Sequence, residues 1–418
     1  MAKPAKTDDL QPTELNLALR QVRNGFLAVG GFSLFINLLM LVPSIYMLQV
    51  YDRAMGSRSN ETLLMLTIIL VILFVTLALL EMVRSTILVR IGNNIDANLG
   101  GKIFSSMFKL AIDRPGNQTA QPLNDLTTLR QYLTSNGPIA FFDGPWFPVY
   151  LAVLFMFHPM FGIFCIIAAL VLGGIAIANE KLTGKRMATA NQANISSSNY
   201  ASSCLRNAEV VHAMGMETSL RGRWLERHNE FLNNQAEASD RAAILTNASK
   251  SLRMLFQSLM LGLGAYLAIA QEISPGMVIA GSILMGRALA PLDLMIGSWK
   301  GFSGARSSYE RLQDLLRNYY RAVDPMPLPA PQGQLAIEGI VVVPPGARQP
   351  SIRGLGFTLE AGEMLAVVGP SAAGKSSLAR AMLGVWPLAA GKVRLDGADI
   401  HQWDKAQLGP HIGYLPQD

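Results

Sequence analysis

The 418-residue sequence is short of charge: Asp, Glu, Lys and Arg together supply 15% of it, while half is hydrophobic. Soluble globular domains carry about 25% charged residues, so a chain of mean hydropathy +0.29 does not have the composition of a soluble protein. Cysteine is almost absent. Cys165 lies in an apolar run and Cys204 in a polar one. Neither has a CxxC partner or a His-rich neighbourhood, which argues against a redox or metal centre and leaves two packing thiols. A basic stripe is missing as well. Lys and Arg outnumber acids 35 to 29, giving a pI near 9.3. They are scattered around the apolar runs, so no nucleic-acid partner is expected. The first apolar run is not followed by a small-residue cleavage site, so no cleavable signal is expected.

What the sequence has instead is six apolar stretches of roughly the 20 residues that a bilayer-spanning helix needs. They run Phe26–Val50, Leu63–Val83, Ile139–Phe157, Met160–Ala178, Leu252–Ala270 and Met277–Trp299. Arg287 and Asp293 interrupt the last. These two and Asp143 read either as lining a water-filled path or as structural ion pairs. Glu81 and Arg84 read as a helix leaving the bilayer.

The connections alternate between short and long. The long ones, 84–138 and 179–251, hold most of the basic residues, Lys102, Lys109, Lys185 and Arg186 among them, whereas the short loops hold only Arg53 and Arg58. The positive-inside rule puts the long connections and the N-terminus, with Lys3, Lys6, Arg20 and Arg23, in the cytoplasm. Helical spacing of Ile103, Met107 and Leu110 predicts that the membrane helices continue far beyond the bilayer. The leader from Thr13 to Arg23 reads as a short amphipathic helix on the membrane surface or as a disordered tail.

After Tyr320 the texture changes. Asp324–Pro331 is a Pro-rich linker, and beyond it β-like runs occupy Leu335–Val343, Ile352–Leu359 and Met364–Val368. The last run leads into Gly369-Pro370-Ser371-Ala372-Ala373-Gly374-Lys375-Ser376, which fits the Walker A pattern GxxxxGK[ST], and then into a helix-like stretch Ser377–Gly384. The glycines let main-chain N–H groups wrap a phosphate, Lys375 supplies positive charge to the terminal phosphates, and the Ser376 hydroxyl can ligate Mg²⁺. A helix beginning here adds its dipole, so Gly369–Ser377 forms the expected ATP site.

Taken together these residues resemble an ABC exporter, specifically the permease/ATPase subunit of type I secretion systems. Besides the phosphate loop, Tyr46–Arg53, Phe141–Trp146, Leu383–Pro387 and Tyr414–Gln417 carry the resemblance. It implies an all-α six-helix transmembrane exporter domain followed by an α/β P-loop NTPase domain, here incomplete. The expected division is a leader at 1–24, the membrane domain at 25–320, the linker at 321–332 and the first part of the nucleotide-binding domain at 333–418.

The resemblance also implies ATP and Mg²⁺ as cofactors, with Lys375 and Gln417 catalytic and with Ser376 and Gln417 on the metal. It implies a homodimer in the bacterial inner membrane with its nucleotide-binding domain in the cytoplasm. The implied partners are a polypeptide cargo, a periplasmic adaptor, an outer-membrane channel and membrane lipid. Export of lipids or small molecules is the alternative within the family, and a truncated, non-hydrolytic membrane subunit is the alternative outside it. The sequence stops at Asp418 without a signature motif, a Walker B carboxylate pair or a switch histidine, so it is not expected to turn over ATP alone. An adenine-stacking aromatic is not evident in Val341–Pro345, and no N-terminal peptidase domain is expected.

Overall fold

The computed structural model describes residues 14–113, 119–320 and 328–415. The first thirteen leader residues, linker residues 321–327 and Gln417 fall outside this set. Two compact units are present. One contains the chain up to Gly101 and Ala120–Asp314; the other contains Lys102–Thr119 and the chain from Leu315 onward.

The first unit is wholly helical. Its elements are α1 (Glu14–Gln21), α2 (Arg23–Leu39), α3 (Val42–Gln49), α4 (Asn60–Asp113), α5 (Gln121–Thr134), α6 (Gly137–Asp143), α7 (Phe147–Phe157), α8 (Pro159–Arg206), α9 (Ala208–Ala213), α10 (Glu217–Ile269) and α11 (Pro275–Tyr319). Six stretches are long and apolar enough to cross a membrane: Arg23–Met55, Asn60–Asp113, Gly137–Phe157, Pro159–Arg206, Glu217–Ile269 and Pro275–Tyr319. These contain the six apolar runs read from the sequence. At 1.5 Å per residue the 54 residues of α4 extend about 80 Å, well beyond a hydrocarbon core of about 30 Å. Prolines sit in the first turns of α3, α6, α7, α8 and α11, where a missing N–H costs nothing. Pro291 alone lies inside a long helix, α11.

Close approach of α8, α10 and α11 rests on small residues. Phe161 on α8 is fully buried. A Cβ added to Gly281 of α11 would lie 2.7 Å from its ring, and one added to Gly264 of α10 would lie 3.3 Å away. Glycine here lets backbones approach where lipid gives no hydrophobic drive for helices to associate.

The leader takes the helical alternative as α1, but its apolar face is covered by protein rather than lying on lipid. Leu15 is fully buried, the Tyr309 hydroxyl donates to Asn16 Oδ1 at 2.6 Å, and Asn98 Nδ2 donates to Gln21 Oε1 at 3.4 Å.

Besides the last turns of α4 and α11, the second unit holds β1 (Leu335–Val342), β2 (Ile352–Leu359), α12 (Lys375–Met382), β3 (Leu388–Leu395), β4 (Ala398–Asp399) and α13 (Lys405–Leu408). The four strands form an antiparallel sheet in the order β2-β1-β3-β4. Ile340, Val342, Leu378, Ala381, Trp386, Val393 and Trp403 make the core between the sheet and α12. Gly391, at φ +83°, permits a register shift between β1 and β3; a Cβ there would lie 2.4 Å from the Glu338 carbonyl.

One expected strand does not form among the described residues. Met364–Val368 carries no ladder, and Met364 and Val368 are 96% and 89% exposed. Apolar and β-branched residues favour a pleated, half-buried surface, but a strand exists only with a partner, and this run pairs with no described segment.

Candidate functional site

The loop from Gly369 to Gly374 connects the unpaired Met364–Val368 run to the first turn of α12. Two left-handed residues bend it: Ala372 at φ +67° and Gly374 at φ +98°. Such a conformation is uncommon for a residue with a Cβ, so Ala372 is held there by the loop around it. Gly374 has a second reason to be glycine, because a Cβ on it would lie 3.2 Å from the Ser351 carbonyl. The turn closes with Ala373 N–H donating to Pro370 O at 3.3 Å and Leu378 N–H to Gly374 O at 2.8 Å.

Lys375 is the first residue of α12, and its ammonium folds back over the loop to donate to Gly369 O at 2.7 Å and Pro370 O at 2.8 Å. The positive charge therefore sits inside the curve of the loop. The N–H groups of the first turn have no intrahelical acceptor by construction, and the helix dipole favours an anion beside them. Ser376 is exposed on this turn and Ser377 is half-buried. Loop curvature, ammonium and amide donors suit a nucleotide's phosphates, and the Ser376 hydroxyl supplies an oxygen of the kind Mg²⁺ takes. The residues fit ATP with Mg²⁺. Among the described residues no cluster of His, Cys, Asp and Glu could hold a metal by itself.

The far end of α12 is anchored by Lys405, a residue that the motif reading missed. Its ammonium donates to Leu383 O at 2.8 Å and Ile400 O at 2.9 Å. Burial pulls its pKa below the usual lysine range, against the pull of Asp399. Positive charge at a helix C-terminus complements the carbonyl dipole. No spacing rule announces it: Lys405 lies 22 residues from Leu383. Arg380 stacks over Trp386 at 5.0 Å, and His401 Nε2 lies 3.1 Å from Trp386 O, so the Leu383–Pro387 stretch closes the helix onto the sheet. In the turn between β3 and β4, burial opposes ionisation of Asp396. Three amide N–H groups, of Gln334, Gly333 and Gln332, outweigh it and hold the carboxyl below its usual range.

The charges in the membrane unit sort differently. Asp143 accepts from Arg84 at 3.1 Å and from Asn37 at 2.8 Å. Arg84 is 6% exposed, so it is a buried ion-pair partner. Asp293 pairs with Arg253 at 2.6 Å and accepts from Ser249 at 3.2 Å. Arg287 has no ion pair among the described residues.

The chain matches two family descriptions: "ABC transporter transmembrane region" over residues 26–291 and "ABC transporter" over residues 352–418. The chain belongs to the ABC transporter family. Within it, the Type I secretion system ATP-binding protein PrsD of Rhizobium meliloti (strain 1021) is 43% identical over 402 residues, covering 96% of this chain and 69% of that protein. The leukotoxin translocation ATP-binding protein LktB of Mannheimia glucosida is 24% identical over 412 residues, and the exotoxin translocation ATP-binding protein PaxB of Pasteurella aerogenes is 22% identical over 409. Each alignment covers 96% of this ABC transporter chain and 57% of the relative, so the chain spans just over half the length of these two. A solved bacterial Atm1-family ABC exporter with ATP bound superposes with a TM-score of 0.76 over 95% of this chain and 72% of that one. At 18% identity that likeness is one of fold.

Proposed function

We propose that this ABC transporter chain is the permease/ATPase subunit of a type I secretion system and drives an unfolded polypeptide across the bacterial inner membrane with ATP. The observation that carries the reading is the phosphate loop, with Lys375 folded into it, on the same chain as six membrane-crossing helices. The 43% identity to a type I secretion ATP-binding protein supports the polypeptide as cargo.

In this reading the functional division is leader 1–24, membrane domain 25–320, linker 321–332 and nucleotide-binding region 333–418. Main-chain N–H groups of the Gly369–Ser377 loop, all but that of Pro370, would hold the phosphates, Lys375 would stabilise charge on the terminal ones, and Ser376 would contribute an oxygen to Mg²⁺. Gln417 would contribute a second side-chain oxygen to the metal. Two copies close around nucleotide, and the long helix extensions carry that closure to the membrane. Basic residues in the long connections support a cytoplasmic nucleotide-binding region. A periplasmic adaptor and an outer-membrane channel receive the cargo.

The test is ATP hydrolysis by the product of the whole reading frame in lipid, with and without Lys375→Ala. Hydrolysis that falls by on the order of a hundredfold or more in the variant supports an exporter motor. Equal hydrolysis in both forms, or none in either, overturns the ATPase reading.

A further inference from the structure

One face of α11 borders open space at every turn. A cavity of about 360 Å³ is lined by Arg287, Pro291 and Leu294, facing Glu81, Asn136 and Asp143. A second, of about 550 Å³, is lined by Leu294, Gly297, Ser298 and Gly301, facing Tyr132 and Asn136. Leu294 and Asn136 belong to both walls, so the two cavities are neighbours along α11, together called the groove. Steps of three and four residues from Arg287 through Pro291, Leu294 and Gly297 to Gly301 keep the whole stripe on one side of the helix.

Three features of this groove have no structural purpose met within the described chain. Arg287 has no hydrogen-bond or ion-pair acceptor there, although Asp143 and Asp293 are both engaged by other arginines. An unpaired cation in a membrane helix is costly and marks a functional position. Pro291, four residues on, has no N–H to return to the Arg287 carbonyl, which frees an acceptor on the same turn. The Tyr132 hydroxyl is buried with no partner at the wall of the second cavity.

The groove therefore offers a cation and a carbonyl, with Glu81 adding an anion to its wall, while the Tyr132 hydroxyl is buried behind it. Donors, acceptors and both signs of charge suit a peptide, whose backbone carries both kinds of group. There is also room: a Cβ on Gly297 would meet nothing within 4 Å.

We propose that this groove holds an extended stretch of the exported polypeptide, with Arg287 pairing to an acidic side chain of that stretch. The proposal rests on the polypeptide-export reading and adds the chemistry by which the cargo is gripped. From Arg287 to Gly301 the helix rises about 21 Å, the length of about six extended residues.

The experiment places a thiol in the groove with Gly297→Cys in a Cys204→Ser background, Cys165 being buried in the core. The full chain is held in phosphatidylcholine nanodiscs without nucleotide. The probes are short bromoacetylated Gly/Ser/Thr peptides carrying either one Asp or one Asn. The Asp peptide is expected to label the introduced thiol on the order of tenfold faster, the effect of one charge-assisted contact. Arg287→Gln should abolish that preference and Arg287→Lys should retain part of it, with labelling by iodoacetamide alone unchanged.

Equal rates for the two peptides with Arg287 intact overturn the proposal, and they do so even where Arg287→Gln disturbs the helix. A preference that survives Arg287→Gln overturns it too. So does phosphatidylglycerol that displaces both peptides alike, which would assign Arg287 to a lipid headgroup. Labelling needs no nucleotide, so failure here leaves Lys375-dependent hydrolysis standing. Loss of that hydrolysis with the Asp preference intact sinks only the motor.

Discussion

Helices α4 and α11 are built to similar lengths, 54 and 45 residues, but their surroundings differ. The most apolar window of α4 has mean hydropathy 3.2 and is 6% buried by protein; that of α11 has 1.5 and is 50% buried. The more apolar helix is the one that protein leaves uncovered. Leu64, Met65, Ile69, Ile72 and Leu79 of α4 all point outward, as lipid allows. On α11, charged and small residues sit where neighbouring helices enclose them. Between these two helices, then, higher apolarity goes with less cover by protein; α10, also at 1.5 but 17% buried, shows that hydropathy alone does not set the cover.

The largest effect that would sharpen this contrast is at the polar end of α11. Arg311 donates to both oxygens of Asp125 on α5, at 2.8 and 2.6 Å, and the Asp125 side chain is 3% exposed. Arg311→Ala leaves the buried Asp125 carboxylate with Ser308 and Gln121 as its remaining donors and should cost about 1.5–3 kcal/mol, the worth of hydrogen bonds to a charged group. The measurement is a fall in the thermal midpoint of the chain in nanodiscs, and Arg311→Lys should recover only part, because Lys lacks the fork that reaches both oxygens. No shift would mean that α5 and α11 are held by apolar packing alone.

The next effect is steric. Gly281→Val on α11 would drive a side chain into the Phe161 ring, which a Cβ alone would approach to 2.7 Å. Overpacking of this kind costs about 1–3 kcal/mol. Pairing Gly281→Val with Phe161→Ala should restore part of the loss, a coupling visible in a double-mutant cycle. Additive losses would show that α8 and α11 do not meet through this contact.

Hydropathy and the fixed GxxxxGK[ST] spacing made the six helices and the phosphate loop legible in advance, because each is written in a local stretch of residues. What stayed hidden depends on partners distant in the chain. Arg84 reads as a boundary residue, and nothing near it in the chain names Asp143, 59 positions away, as its partner. Asp293 is engaged by Arg253, and Lys405 anchors a helix end 22 residues upstream. The amphipathic leader could not reveal that its apolar face meets protein, with Tyr309 almost 300 residues on. Met364–Val368 shows the converse. Its composition is that of a strand, but β-propensity without a neighbouring ladder leaves it exposed. The left-handed turn at Ala372 is invisible for a similar reason, since alanine announces no such backbone.

The smallest expected effect is the one that most directly tests the contrast between the two helices. Ile72 on α4 is 59% exposed to whatever surrounds the protein. If that is lipid, Ile72→Ala leaves no cavity, because acyl chains move into the vacated volume, and the two states compared are both solvated by hydrocarbon. The expected change lies within about 0.5 kcal/mol, the range of a substitution away from any packed feature. The readout is the thermal midpoint in nanodiscs, measured beside Gly281→Val in the same lipid. A loss as large as that of Gly281→Val would mean that the outward face of α4 is packed against protein, a second copy of the chain being the first candidate. Low burial in the single chain would then no longer report contact with lipid, and the difference between α4 and α11 would reduce to which partner covers each.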